Sequence, residues 1–123
     1  MQFAIINECY HLVQDGVLSA KDIDRVMSEG LGLRYAFLGP LETIHLNSTG
    51  NGIEDYCKRF GGSIFEVSQT FKPTPLLEGS GLREVAKQVN QMSPINRIPD
   101  RAKWRDECLY KLAMLKGAQS ERR

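Results

Sequence analysis

The tightest constraint on the fold is the stretch from Ile53 to Phe71, where Ile53, Tyr56, Cys57, Phe60, Ile64, Val67 and Phe71 recur at steps of three and four. That period lays an apolar stripe along one side of an α-helix. No segment elsewhere alternates apolar and polar residues over the run of about five that marks a half-buried strand. The sequence therefore reads as all-α, a helical bundle of about six helices.

The remaining elements follow from apolar spacing and from the residues that start and stop helices. Phe3, Ile5, Ile6, Cys9, Tyr10, Leu12 and Val13 cover most of a first helix, and so wide an apolar face expects burial. Gly16 ends that helix, and Ser19 with Asp22 resembles a capping box opening a second helix that Gly30 closes. Pro40 suits the first position of a short third helix, with Glu42 at its positive end. The Ile53 to Phe71 helix, stopped by Pro73 and Pro75, is predicted to be the longest. Gly61 and Gly62 inside it imply either a bend or a close backbone neighbour. Ser80 can cap a helix running to Met92, and Ser93 to Pro99 reads as a loop. Asp100 opens a last helix with Trp104, Cys108, Leu109, Leu112 and Leu115 turned inward, and the tail from Gly117 to Arg123 is polar and frayed.

With 123 residues, 41% hydrophobic and 25% charged, the protein is sized for one soluble domain over residues 1–123. Sixteen basic residues against fifteen acidic ones leave a net charge of +1, too little to recruit nucleic acid or an anionic membrane by a global field. A helix-turn-helix reading of Phe3 to Gly30 fails for the same reason, since Asp22, Asp24 and Glu29 offset Lys21 and Arg25. Neither nucleic acid nor membrane is an expected partner. Cys9, Cys57 and Cys108 are widely spaced, lack any metal-site pattern and fall on apolar helical positions, so they read as reduced, structural thiols in a cytoplasmic protein. No metal is expected. Met1 runs straight into a helical pattern with no capping residue ahead of it, which suggests that a preceding segment belongs to the protein.

Few residues offer chemistry. Gly30 with Gly32, Gly50 with Gly52, and Gly79 with Gly81 each lack the third glycine and the preceding strand of a dinucleotide-binding turn. His11 sits on a polar stripe with Glu8 and Asp15, and His45 lies near Asn47; neither has a serine or cysteine at a spacing that makes a nucleophile pair. Arg34 stands out, lifted between Gly32 and Gly39 on a glycine-punctuated loop that feeds a helix amino terminus. Its planar guanidinium can grip a carboxylate through two parallel hydrogen bonds, with the Tyr35 hydroxyl adding a third. The other reading, of equal weight, ties Arg34 to Glu29 or Glu42. Trp104 to Leu109 carries charges of alternating sign around an apolar Trp104, which suits a core or interface helix.

Several blocks, in order, resemble a known family. These are Gln2 to Glu8, Leu18-Ser19, Asp22 to Asp24, Val26 to Gly32, Arg34 to Phe37, Gly39 to Thr43 and Trp104 to Leu109, with Leu76 to Arg101 the least similar stretch. They resemble the C-terminal domain of the 3-hydroxyacyl-CoA dehydrogenase family, in its lambda-crystallin (L-gulonate 3-dehydrogenase) branch. The resemblance implies a helical domain like the C-terminal domain of 6-phosphogluconate dehydrogenase, which forms a homodimer and closes over a small hydroxy-acid substrate. It further implies that NAD and a histidine–glutamate catalytic pair belong to an N-terminal Rossmann domain outside this sequence. An asparagine followed by arginine, just ahead of the position of Met1, is likewise absent, so no catalytic, cofactor-binding or metal residue is carried over and the domain alone is expected to be inactive. Acyl-CoA-using members do not usually have an arginine at the place of Arg34, which favours Arg34, with Tyr35 beside it, as the contact to a substrate carboxylate. A non-enzymatic helical interaction or crystallin-type module is the competing reading.

Overall fold

The structure, a computed structural model, describes residues 1–120 and is helical throughout, with no strand among them. Helix α1 (Gln2–Gln14) leads into a continuous helical run made of α2 (Ala20–Arg25), a π-helical turn (Val26–Leu31) and α3 (Gly32–Tyr35). Then come α4 (Pro40–Leu46), α5 (Gly52–Ser68), α6 (Gly79–Met92), a 3-10 turn (Ile95–Arg97) and α7 (Ile98–Ser120). Taking the α2 to α3 run as one rod, six helical rods make up the described residues, as the apolar spacing requires.

Local chemistry explains most junctions. After α1, Gly16 takes φ 67°, while the Val17 amide donates to Leu12 O at 3.0 Å and the Gly16 amide to Val13 O at 3.1 Å. This pairing satisfies two orphan carbonyls of the last turn, and only the left-handed glycine permits it. Ser19 Oγ accepts the Asp22 amide at 3.1 Å and donates its own proton to Asp22 Oδ2 at 2.6 Å, so it caps α2 as its sequence position implies. Pro40 occupies the first turn of α4 behind Gly39.

Several boundaries differ from the sequence reading. Gly30 does not close the second helix: the π turn inserts one residue per turn, and the Gly32 amide donates to Met27 O, carrying the helix on to Tyr35. Arg34 is therefore on a helical turn and not on a loop. Ser80 is not a cap, because α6 starts one residue earlier behind an extended Glu78 whose own side group makes no capping bond. The last helix opens at Ile98 rather than Asp100, since Pro99 is compatible with a first helical turn, and it runs through Gly117 to Ser120; the rest of the tail lies outside the described residues. At 23 residues α7 is longer than the 17-residue α5, which stops at Ser68, short of Phe71 and the prolines. Neither Gly61 nor Gly62 has another atom within 4 Å of where a Cβ would sit, so among the described residues no backbone packs against them.

The core is small and lies where α1, α2 and α6 meet. Val13, Ala20 and Ile23 are buried together, with Cys9, Leu12 and Val85 packed around them. Tyr10 is buried too and donates its hydroxyl to Glu78 O at 3.3 Å, and the Ala20 amide donates to Gln88 Oε1 at 2.8 Å, so α6 is bolted to both earlier helices. Gly81 makes the crossing possible: a Cβ there would stand 2.6 Å from the Tyr10 hydroxyl.

Outside that corner the molecule is open. The amino-terminal half of α1 is not buried, with Phe3 76% exposed, because no described element reaches beyond the α6 crossing to cover it. No residue of α5 is buried, and α5 packs chiefly on α4. The inward positions foreseen for α7 are exposed too: Trp104 at 52%, Leu109 and Leu115 likewise, with Leu112 only half-buried. The protein exposes 9886 Å². A compact monomer of its mass exposes about 6,700 Å².

Candidate functional site

Arg34 and Tyr35 form the last two residues of α3, a single helical turn held between the π turn and the Gly39–Pro40 start of α4. The backbone there is pinned on both sides: Leu38 N–H donates to Arg34 O at 3.0 Å, and the Thr43 hydroxyl donates to Gly39 O at 2.9 Å. Both residues are exposed, Tyr35 at 41%. Glu29, a suggested tether for Arg34, is instead engaged by Arg25, whose Nε reaches Glu29 Oε1 at 3.3 Å one helical turn away. Arg34 makes no ion pair with Glu42 or with any other described residue, so the tethering reading has no support in the geometry. The guanidinium of Arg34 thus stands unpaired on a fixed helical turn with its donor fork unengaged.

The most apolar concavity among the described residues lies elsewhere. A groove of about 470 Å³ runs between α1, α2, the π turn and the strap of residues 71–74, lined among others by Ile5, Cys9, Leu12, Ile23, Met27 and Phe71. Two polar contacts fasten the strap to α1. His11 Nε2 donates to Pro73 O at 3.0 Å, and Lys72 Nζ reaches Asp15 Oδ1 at 2.6 Å. Arg34 and Tyr35 do not line this groove. Burial pushes the Cys9 thiol above its usual range, and the Asp24 carboxylate adds to the shift in the same direction. Of the other cysteines, Cys57 and Cys108 are exposed, not buried as their apolar spacing suggested, because no described element covers the side of the helix that carries each.

Both histidines are engaged in holding backbone. His11 ties the strap as described, and His45 Nδ1 accepts the Ile53 amide at 3.2 Å, satisfying an orphan donor at the start of α5. Its ring also lies against Gly52, whose φ of 75° and lack of a Cβ leave the ring its place. The spacing from His45 to the next helix start is the signal that would have found this cap. Of the glycine pairs, Gly30 and Gly32 lie in the π turn and at the start of α3, Gly50 and Gly52 flank the turn into α5, and Gly79 and Gly81 open α6. None sits in a strand–turn–helix, so these residues do not fit a dinucleotide pyrophosphate. Among the described residues no cluster of histidine, cysteine and carboxylate groups could hold a metal ion, and no helix is long and apolar enough to cross a membrane.

Residues 1–88 match the family model described as 3-hydroxyacyl-CoA dehydrogenase, C-terminal domain. The chain belongs to that family. As a 3-hydroxyacyl-CoA dehydrogenase C-terminal domain it is 48% identical to the lambda-crystallin homolog of Homo sapiens, over 95% of its own length and 37% of the relative's. It is 42% identical to lambda-crystallin of Oryctolagus cuniculus, over 94% of its own residues and 36% of that protein. A more distant relative, L-carnitine dehydrogenase of Pseudomonas aeruginosa, is 29% identical over 86% of this sequence and 33% of its own length. The domain thus spans little more than a third of the relatives it matches. The all-helical architecture and the membership of this family agree with the resemblance carried by the sequence blocks.

Proposed function

We propose that this domain is the dimerising, substrate-closing part of a cytoplasmic NAD-dependent 3-hydroxy-acid dehydrogenase, in which Arg34 binds the substrate's carboxylate and Tyr35 adds a hydroxyl contact. The unpaired guanidinium of Arg34 on its fixed helical turn carries this reading. A fork of parallel N–H donors discriminates a carboxylate from a thioester, which has no second oxygen of equal charge. That suits short hydroxy acids, the class to which the L-carnitine of the distant relative's name belongs by its chemistry. The cofactor, held by a nucleotide-binding domain, supplies hydride acceptance from the carbinol carbon. This domain supplies charge, orientation and closure, and by itself turns nothing over.

Two experiments test the reading. In a dehydrogenase carrying this domain, Arg34→Gln should raise KM for the hydroxy acid by about ten- to a hundredfold, the loss of a charge-assisted pair, with little change in kcat. Arg34→Lys should fall between, having charge without the fork. An unchanged KM in Arg34→Gln sinks the assignment. For the partner, the excess of exposed surface over a compact monomer is more than the roughly 1,000–2,500 Å² per protomer that an obligate dimer buries, so it leaves room for one. Light scattering behind a sizing column should give a dimer across the micromolar range; a monomer throughout overturns that part. The crystallin-type reading draws on the names of the Homo sapiens and Oryctolagus cuniculus relatives, and a stable dimer inert toward every hydroxy acid, with its nucleotide domain in place, would favour it.

A further inference from the structure

We propose that Asn51 is a site of spontaneous covalent modification, deamidating through its bond to Gly52 at a rate that the Ser48 hydroxyl holds back. Asn51 is exposed at the tip of the turn between α4 and α5, and glycine follows it in the sequence. Gly50 and Gly52, at φ 98° and 75°, leave the peptide on either side of it with more freedom than any other residue would allow. A glycine nitrogen is the least hindered backbone nucleophile that an asparagine amide can meet.

The reaction is self-contained apart from water. The Gly52 nitrogen loses its proton to hydroxide and attacks Asn51 Cγ. The new N–C bond closes a succinimide ring as the bond between Cγ and Nδ2 breaks and ammonia leaves. One water then opens the ring at either carbonyl, giving aspartate or isoaspartate.

The fold restrains the first step. Asn51 sits at φ −104° and ψ 11°, a geometry in which the Gly52 nitrogen lies well away from the line of attack on Cγ, so ψ must rotate before the ring can close. That rotation is resisted at two points. The Gly52 amide donates to Ser48 Oγ at 2.7 Å, which ties up the very proton that must leave, and the next amide, of Ile53, donates to His45 Nδ1 at 3.2 Å. Isoaspartate at position 51 lengthens the backbone by one methylene at this junction and displaces both bonds, so α5 loses its first turn in an aged molecule. Aspartate instead adds a carboxylate ahead of Glu54 and Asp55 at the same helix start.

The test is peptide mapping by mass spectrometry of this protein after timed incubation at mildly alkaline pH, with fragmentation that separates isoaspartate from aspartate. Conversion should concentrate at Asn51 and outrun that at exposed Asn47, Asn90 and Asn96. Ser48→Ala should speed it about fivefold, the Boltzmann weight of an ordinary hydrogen bond. Ser48→Thr, which keeps the hydroxyl, should leave the rate near wild type, and circular dichroism monitors the fold of each variant. Conversion at Asn51 no faster than at Asn47 overturns the site. A Ser48→Ala rate equal to wild type overturns the restraint.

Discussion

His45 reaches forward to accept the Ile53 amide proton at 3.2 Å, so the last turn of α4 caps the first turn of α5. A cap of this kind contributes about 1 kcal/mol. His45→Ala should lower the unfolding free energy by that amount, which at an unchanged denaturant slope moves the urea midpoint down by about 0.5–1 M, read by far-ultraviolet dichroism. A slope that falls with the midpoint would mean that α5 frays separately.

Gly32 and Gly30 should answer alanine with opposite signs. A Cβ on Gly32 would stand 2.6 Å from the Met27 carbonyl oxygen, a backbone atom that moves only if the π turn is rewound. Gly32→Ala should cost about 1–3 kcal/mol, as overpacking does. Gly30 has open space where its Cβ would lie, so Gly30→Ala should stabilise by up to about 1 kcal/mol through helix propensity. Paired thermal melts decide it.

Gly61 and Gly62 face open space within α5. Alanine at each should strengthen the helix by up to about 1 kcal/mol in a lone protomer. If a second copy lies over α5, the same methyl groups separate the two backbones, and we expect the double alanine variant to show a stronger helix and a weaker dimer. Dichroism and sedimentation equilibrium on one sample read both.

Cys9 should be the slowest thiol. Its raised pKa means that less thiolate is present at any given pH than an open thiol would show, and the groove walls limit access. Iodoacetamide near pH 8, followed by peptide mapping, should label exposed Cys57 and Cys108 before Cys9, with Cys9 catching up as pH rises. The same shift makes the fold lose stability above the ordinary thiol range, where an unfolded molecule ionises Cys9 and the folded one resists. Equal labelling of all three would show that the groove is open.

Local signals carried far in this protein, and tertiary ones did not. Gly16, Ser19 and Pro40 act through bonds to residues a few positions away, so their roles were legible from spacing alone. The π turn was not, because glycine at positions 30 and 32 reads as a stop until the Met27 carbonyl is seen to accept from five residues ahead. The apolar stripes of α5 and α7 are real, but periodicity reports which side of a helix seeks cover and not whether the same molecule provides it; Phe60, Trp104 and Leu109 remain exposed. For the site, the sequence singles out Arg34 as a planar donor but misplaces it on a loop, while the engagement of Glu29 by Arg25 and the tying of both histidines to backbone depend on side-chain directions that spacing does not fix.

The bonds from Tyr10 to Glu78 and from Ala20 to Gln88 each join residues 68 positions apart. Closing a loop of that length costs about 4 kcal/mol in conformational entropy before any contact repays it. Helices α3, α4 and α5 are thus a detour between the two halves of the corner where α1, α2 and α6 meet, and we expect that corner to close after the local helices form. Because the route between its two halves passes through the exposed turn at Gly50, a single cut there would leave the central corner joined only by non-covalent contacts, and the domain would become a complementing pair of peptides.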